Sequence, residues 1–204
     1  MIHLYGIVEG LEGLPPGLER RRVEGLELVV GGDEAPPDTI SREQVLRHAE
    51  VVDELMRRSA AVLPAQLGRA FRDDDELADA VRAQAPKLAQ SLERVRGCVE
   101  FGLRVTGLGG EAREADTGAG YMHIRLEHLR RQDEVIERTY EPLARLAREA
   151  TLKRLPDGVS AAYLVERAGV AAFEAAAAAA EREPGAVVVC TGPWPPYSFA
   201  GGES

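Results

Sequence analysis

With 204 residues, 45% of them hydrophobic and 29% charged, the chain has the length for one large or two small domains and the composition of an ordinary soluble globular protein. Its formal net charge of −9 divides into −6 over residues 1–95 (12 basic, 18 acidic) and −3 over 96–204 (13 basic, 16 acidic), which argues against nucleic acid or an anionic membrane as partner, because both select basic surfaces. No cationic stretch leads into an apolar run at the start and no run has the length of a span, so a cytoplasmic chain without membrane insertion is expected.

Residues 2–8 are almost continuously apolar and end at Glu9-Gly10, the pattern of a strand covered on both faces. Glu12 to Arg22 holds Pro15-Pro16-Gly17 and three arginines, and reads as a loop whose arginine triplet is a charged edge and not a site. Leu26, Leu28 and Val30 alternate up to Gly31-Gly32, giving a second strand. Ser41 with Gln44 forms a capping-box start for a helix whose Val45, Leu46, Ala49, Val52, Leu55 and Met56 recur on one side as core. That pattern ends ahead of Pro64, and Pro64 to Arg72 reads as extended edge or loop. Asp73 with Glu76 opens another helical stretch that Pro86 kinks or splits.

After Gly97 the period changes. Val99, Phe101, Leu103 and Val105 alternate with their neighbours as a strand with one dry face, and the domain boundary is placed just before it, giving domains 1–95 and 96–204. Residues 107–120 carry five glycines and read as a loop. From Tyr121 toward Leu155 a helical pattern places Met122, Leu126, Leu129, Ile136, Tyr140 and Leu143 near a heptad seam, which Asp133 and Pro142 interrupt, so a kinked helix or two successive helices is expected. Pro156-Asp157-Gly158 is a turn. A short strand over 161–166, an alanine-rich helix over 170–182 and a buried strand at Val187-Val188-Val189 follow. Strands alternating with helices in both halves predict an α+β fold of two small sandwich-like domains.

The residues of a catalytic centre are not evident. His3, His48, His123 and His128 are scattered, and the last two are five apart, which sets them too far around a helix to share one metal; both read as solvated helix residues. The glycines of 107–110 lack the lysine and Ser/Thr of a phosphate loop and lead into Glu111, Glu114 and Asp116. Asp73 to Glu76 already serve as helix-start carboxylates. Cys98 and Cys190 have neither disulfide-framework nor CxxC spacing and read as buried or half-buried strand residues. No cofactor and no metal is expected.

The final stretch is distinctive. Pro193, Pro195 and Pro196 stiffen a segment that displays Trp194, Tyr197 and Phe199, and it reads as an extended strip. Two roles are open to it: a strap that buries its aromatics against its own domain, or a contact strip for another protein formed by Trp194, Pro195, Pro196, Tyr197 and Phe199. The octapeptide Gly192 to Phe199, GPWPPYSF, resembles the C-terminal signature of the gas vesicle protein F/L family. So do Leu4-Tyr5-Gly6-Ile7-Val8, Val62-Leu63-Pro64 leading to Gly68, Val99 to Val105, and Ala162 to Arg167, which together span nearly the whole chain. Gln66-Leu67-Gly68 stands where that family tends to have Arg-Phe-Gly. The resemblance implies a modified ferredoxin-like C-terminal domain and a non-enzymatic accessory role in gas vesicle formation. Its implied partners are the small hydrophobic shell protein and other accessory proteins, and its place the cytoplasm and the gas vesicle. The alternative, a ferredoxin-like enzyme or small-ligand binder, requires a polar pocket with converging titratable groups.

Overall fold

The computed structural model of the protein describes residues 1–32, 41–108 and 118–201. The chain divides into two compact units, Met1–Val99 together with Trp194–Ser204, and Glu100–Pro193. Contacts thus group the residues from Trp194 onward with the first unit, whereas the reading from sequence kept them in 96–204.

The first unit opens with β1 (Ile2–Glu9), β2 (Glu19–Val23) and β3 (Leu26–Gly32), followed by α1 (Arg42–Arg58), β4 (Ala61–Pro64), β5 (Ala70–Phe71), α2 (Asp74–Arg82) and α3 (Ala85–Val95). The strands form one sheet in the order β2-β3-β1-β4, with β5 also paired to β1, and every pair is antiparallel. β1 is central and buried along its middle, as its unbroken apolar run requires. Tyr5, Val8, Val29 and Val62 from the sheet meet Leu55 of α1 in the core.

Local signals set the helix starts. The Ser41 hydroxyl accepts from the Gln44 amide at 3.2 Å while the Gln44 side chain accepts from the Ser41 amide at 2.8 Å, a closed capping box. Asp73 accepts from the Glu76 amide at 2.9 Å, and Pro86 separates α2 from α3 by sitting in the first turn of the latter. The arginine triplet is part of β2 and not of a loop. Arg20 pairs with Glu27 at 3.1 Å and Arg21 with Asp74 at 2.7 Å, so the charges that suggested a loop protect an outer strand. β4 corrects the sequence reading too: four residues are too few to show a period, and their pairing with β1 makes them a strand.

His3 on β1 and His48 on α1 meet in the interior, both less than a tenth exposed. His3 Nε2 and His48 Nδ1 are 3.1 Å apart, His48 Nε2 is 2.9 Å from the Ala65 carbonyl, and the Tyr5 ring stacks on His48. With His48 Nε2–H donating to Ala65, its Nδ1 accepts from His3, and this chain of bonds needs a neutral His48. Burial lowers the His48 pKa from its ordinary 6.5, opposed in part by the bond to Ala65. The unfolded chain therefore takes up a proton at higher pH than the fold does. The stability that follows is fully present above about pH 6.5 and is lost as the pH falls through the lower folded value. Denaturant midpoints measured between pH 7.5 and 5 are expected to fall on the acid side, and His48→Gln is expected to flatten that slope.

In the second unit β6 (Cys98–Thr106) leads to α4 (Gly118–Val135), a π-helical turn at Ile136–Tyr140, α5 (Glu141–Ala144), β7 (Glu149–Leu155) and β8 (Gly158–Glu166). A 3₁₀ turn, α6 (Val170–Ala180) and β9 (Val187–Trp194) complete it. The sheet order is β7-β8-β6-β9. Numbered within the unit, a βαββαβ chain in the order 2-3-1-4 has the ferredoxin-like connection pattern. Phe101, Tyr163 and Phe173 stack in its core at 4.7 and 5.2 Å. The helical pattern from Tyr121 does break near Pro142, but it does not reach Leu155. Glu149–Leu155 is β7, paired antiparallel with β8 across Pro156-Asp157, because a hairpin partner overrides the helix propensity of Glu, Ala, Leu, Lys and Arg. β6 alternates only from Gly102 onward; its first four residues are buried on both faces. Val187 and Val189 on β9 are exposed and only Val188 is buried, correcting the expectation of a buried strand there. Of the glycine-rich segment 107–120, residues 109–117 lie outside the described residues.

Candidate interaction site

The C-terminal segment begins on β9. Gly192 has φ 134°, and a Cβ there would lie 2.8 Å from both the Glu100 carbonyl oxygen and the Phe101 ring, so only glycine fits. The Gly192–Pro193 peptide is cis. Beyond Trp194 the chain departs from the extended strip expected: Pro195 and Pro196 are buried, and Tyr197–Ala200 turn into a single helical turn, α7. Its Phe199 amide donates to the Pro196 carbonyl at 3.2 Å, a bond that the proline carbonyl can still accept although proline has no N–H to give.

α7 packs on α3 and β4. Phe199 is 1% exposed, and Arg94 of α3 donates from Nη2 to the Phe199 carbonyl oxygen at 2.5 Å. The five candidate residues therefore separate by role. Phe199, Pro195 and Pro196 tie the segment down, while Trp194 at 50% and Tyr197 at 41% exposure stay on the surface. The Tyr197 hydroxyl is nonetheless desolvated: burial, with the Asp53 carboxylate adding to it, pushes its pKa up to about 12.

Tyr197 and Ala200 form one wall of a groove of about 250 Å³ whose floor includes Leu4, Ile7, Leu63 and Phe71. The groove is mainly apolar. Its polar residues are Gln66, Gln84 and Arg69, and the Arg69 guanidinium lies 5.7 Å from the Phe71 ring centre. Gln66 belongs to the Gln-Leu-Gly triplet that follows Pro64. No signal in the sequence indicated this groove, since its walls come from β1, β4, α2, α3 and α7.

The titratable groups do not converge on it. Among the described residues no three His, Cys, Asp or Glu side chains are placed to hold a metal ion. His123 is exposed beside Glu127 at 3.3 Å, as a solvated helix residue should be. His128 differs from that expectation: its Nδ1 is 3.1 Å from the Leu108 carbonyl and its Nε2 3.0 Å from the Gln132 side chain, so it is a half-buried structural residue. Cys98 is buried, and the half-buried Cys190 thiol is pushed up to about 11 by burial and the Glu181 charge, which keeps it protonated and unreactive near neutrality.

These features define an α+β protein whose C-terminal segment is anchored on its own first sheet with aromatic side chains left outside. Comparison with known proteins makes the class specific. The family model described as "Gas vesicle synthesis protein GvpL/GvpF" matches residues 1–115 and 111–201; the chain belongs to this family and has a role in gas vesicle formation. It is 30% identical to gas vesicle protein L of Streptomyces sp. (strain CB03234), over 94% of this chain and 85% of that protein. It is 25% identical to gas vesicle protein F1 of Halobacterium salinarum (strain NRC-1), over 97% of this chain and 92% of the relative. Crystal structures of GvpF from Anabaena sp. PCC7120 and from Microcystis aeruginosa share its fold, with TM-scores of 0.83 and 0.81 at 16% and 17% identity. The first covers 100% of this chain and 97% of its own, and the second 98% of each.

Proposed function

We propose that the protein is a non-enzymatic accessory factor of gas vesicle formation that holds the small hydrophobic shell protein in the cytoplasm, and that it docks other accessory proteins as well. The observation carrying this reading is the division of labour in the C-terminal segment. Phe199 fixes the segment to the domain, and the fixed backbone presents Tyr197 on the wall of an apolar groove and leaves Trp194 half exposed. Large aromatics on a pre-ordered backbone lose little entropy on contact and cover apolar surface reversibly. A chain of net charge −9 stays dispersed while doing so.

The test is capture of co-expressed shell subunit by the full chain. Replacing both Trp194 and Tyr197 by Ala is expected to weaken capture by about thirtyfold, the loss typical of removing an aromatic hot spot. Because Trp194 is half exposed, Trp194→Ala alone is expected to change unfolding free energy by less than about 0.5 kcal/mol. Undiminished capture by the double variant, with its melting curve unchanged, would remove the proposal.

A further inference from the structure

α4 carries apolar side chains that its own domain does not cover. Its inward side is mixed: Val135 is buried and Ile124 half-buried, while Gln132, 2% exposed, donates from Nε2 to the carbonyls of Leu155 and Gly158 at 2.9 and 3.3 Å and His128 lies 3.1 Å from the Leu108 carbonyl. Its outward side carries Met122, Leu126 and Leu129, exposed by 57%, 51% and 40%. Their i, i+4, i+7 spacing makes one continuous stripe, the pattern by which one helix packs on another. Contiguous exposed apolar surface of this kind marks a contact face more often than free surface.

Charge decides what kind of partner fits. All three carboxylates of α4 are engaged within the protein: Glu127 with His123 at 3.3 Å, Asp133 with Arg154 at 2.6 Å, and Glu134 with Arg138 at 3.2 Å. The helical repeat sets Arg125 on one side of the stripe and Arg130 on the other. Neither has a carboxylate partner among the described residues, and Arg125 reaches only the Tyr121 hydroxyl at 3.4 Å. Among the described residues, the helix face is therefore an apolar seam flanked by two guanidinium groups without a carboxylate partner.

We infer that this face docks an amphipathic helix of another protein, whose apolar seam covers Met122, Leu126 and Leu129 and whose flanking carboxylates pair with Arg125 and Arg130. A second copy is a poorer occupant, because two α4 faces would set like charges along the seam. An anionic bilayer is opposed by the overall charge of −9. The inference does not rest on the C-terminal segment, and its variants leave Trp194 and Tyr197 in place.

Two synthetic peptides of about three heptads, with Leu at the seam and either Glu or Lys at the flanks, test it against the full chain by fluorescence anisotropy. The Glu peptide is expected to bind, more weakly at high salt, and the Lys peptide is not. Leu126→Glu is expected to weaken binding of the Glu peptide by about tenfold or more. Arg125→Glu combined with Arg130→Glu is expected to reverse the preference, so that the Lys peptide now binds and the Glu peptide does not; both sets of side chains are on the surface, and an unchanged melting curve confirms the fold. Equal binding of the two peptides, or a charge-reversed variant with unreversed preference, overturns the inference. So does a concentration-dependent dimer abolished by Leu126→Glu, which assigns the face to self-association, or binding to phosphatidylserine vesicles without binding to the Glu peptide.

Discussion

Phe199→Ala is expected to destabilise the first unit by about 3–5 kcal/mol, the usual cost of emptying a buried Phe site. At 1% exposure the ring has no solvent to relax into, and α3 and β4, on which α7 packs, are held by other contacts that prevent collapse onto the cavity. The Arg94 bond goes to the backbone carbonyl of residue 199, so it survives the substitution and the loss is one of packing. For a chain of this size each kcal/mol moves the melting temperature by about 2–4 °C, so a shift near 10 °C is expected in a thermal melt. Phe199→Leu, which keeps most of the volume, should lose much less. Because Phe199 also sets the backbone that presents Trp194 and Tyr197, Phe199→Ala should weaken shell-protein capture even though the two outer rings remain. A melt indistinguishable from the parent would show that α7 is not an anchor, and the role assigned to the outer aromatics would fall with it.

The second large effect is expected at Gly158, the first residue of β8. A Cβ built there would overlap the backbone carbonyl of Val105 on β6 and come within 3.2 Å of the Thr106 Cα. These are backbone atoms of a central strand, so no rotamer change makes room, and the β6–β8 pairing has to open. The Gly158 carbonyl is also a hydrogen-bond acceptor for Gln132, so a displaced hairpin loosens the seat of α4. Gly158→Ala is expected to cost about 3 kcal/mol, at the upper end for overpacking. Gly32→Ala is the control: nothing lies within 4 Å of its Cβ position, and its effect should stay within about 0.5 kcal/mol. Urea unfolding of both variants makes the comparison. Equal stability would mean that β8 does not approach β6 as closely as this register places it.

Several elements were legible in the sequence because their causes are local. The Ser41–Gln44 and Asp73–Glu76 caps join atoms three residues apart, so the residue types alone identify them. Pro86 divides two helices for the same reason: it removes a donor wherever it is placed. The octapeptide GPWPPYSF identified the family through rare residues in a fixed order, and the family match over the whole chain agrees. Short or atypical strands were not legible. β2 is three arginines between a Glu and a Val, β4 is four residues, and β7 is made of good helix formers; each is a strand because a neighbour offers it a ladder of hydrogen bonds.

The candidate site was half legible. Its residue types drew notice, but strap and contact strip were offered as rivals for the whole segment, whereas in the molecule Phe199 is buried and Trp194 and Tyr197 are exposed. Phe199 faces inward and Trp194 outward although only five positions separate them, because α7 turns the chain between the two. Likewise the seam read along the long helix is one pattern in sequence and two environments in space: Met122, Leu126 and Leu129 are exposed, whereas Ile136 and Leu143 are buried.

The amino-acid order alone determined where helices start, where strands alternate, which family the chain resembles, and that its surface is acidic, since these depend on neighbours a few residues away or on totals. Only the tertiary structure decided which apolar side chains are left outside, that His3 meets His48 although they stand 45 positions apart, and that α4 seats Gln132 inward while Met122, Leu126 and Leu129 stay exposed. Burial and hydrogen-bond pairing depend on what lies across space, and residues far apart in the chain supply it.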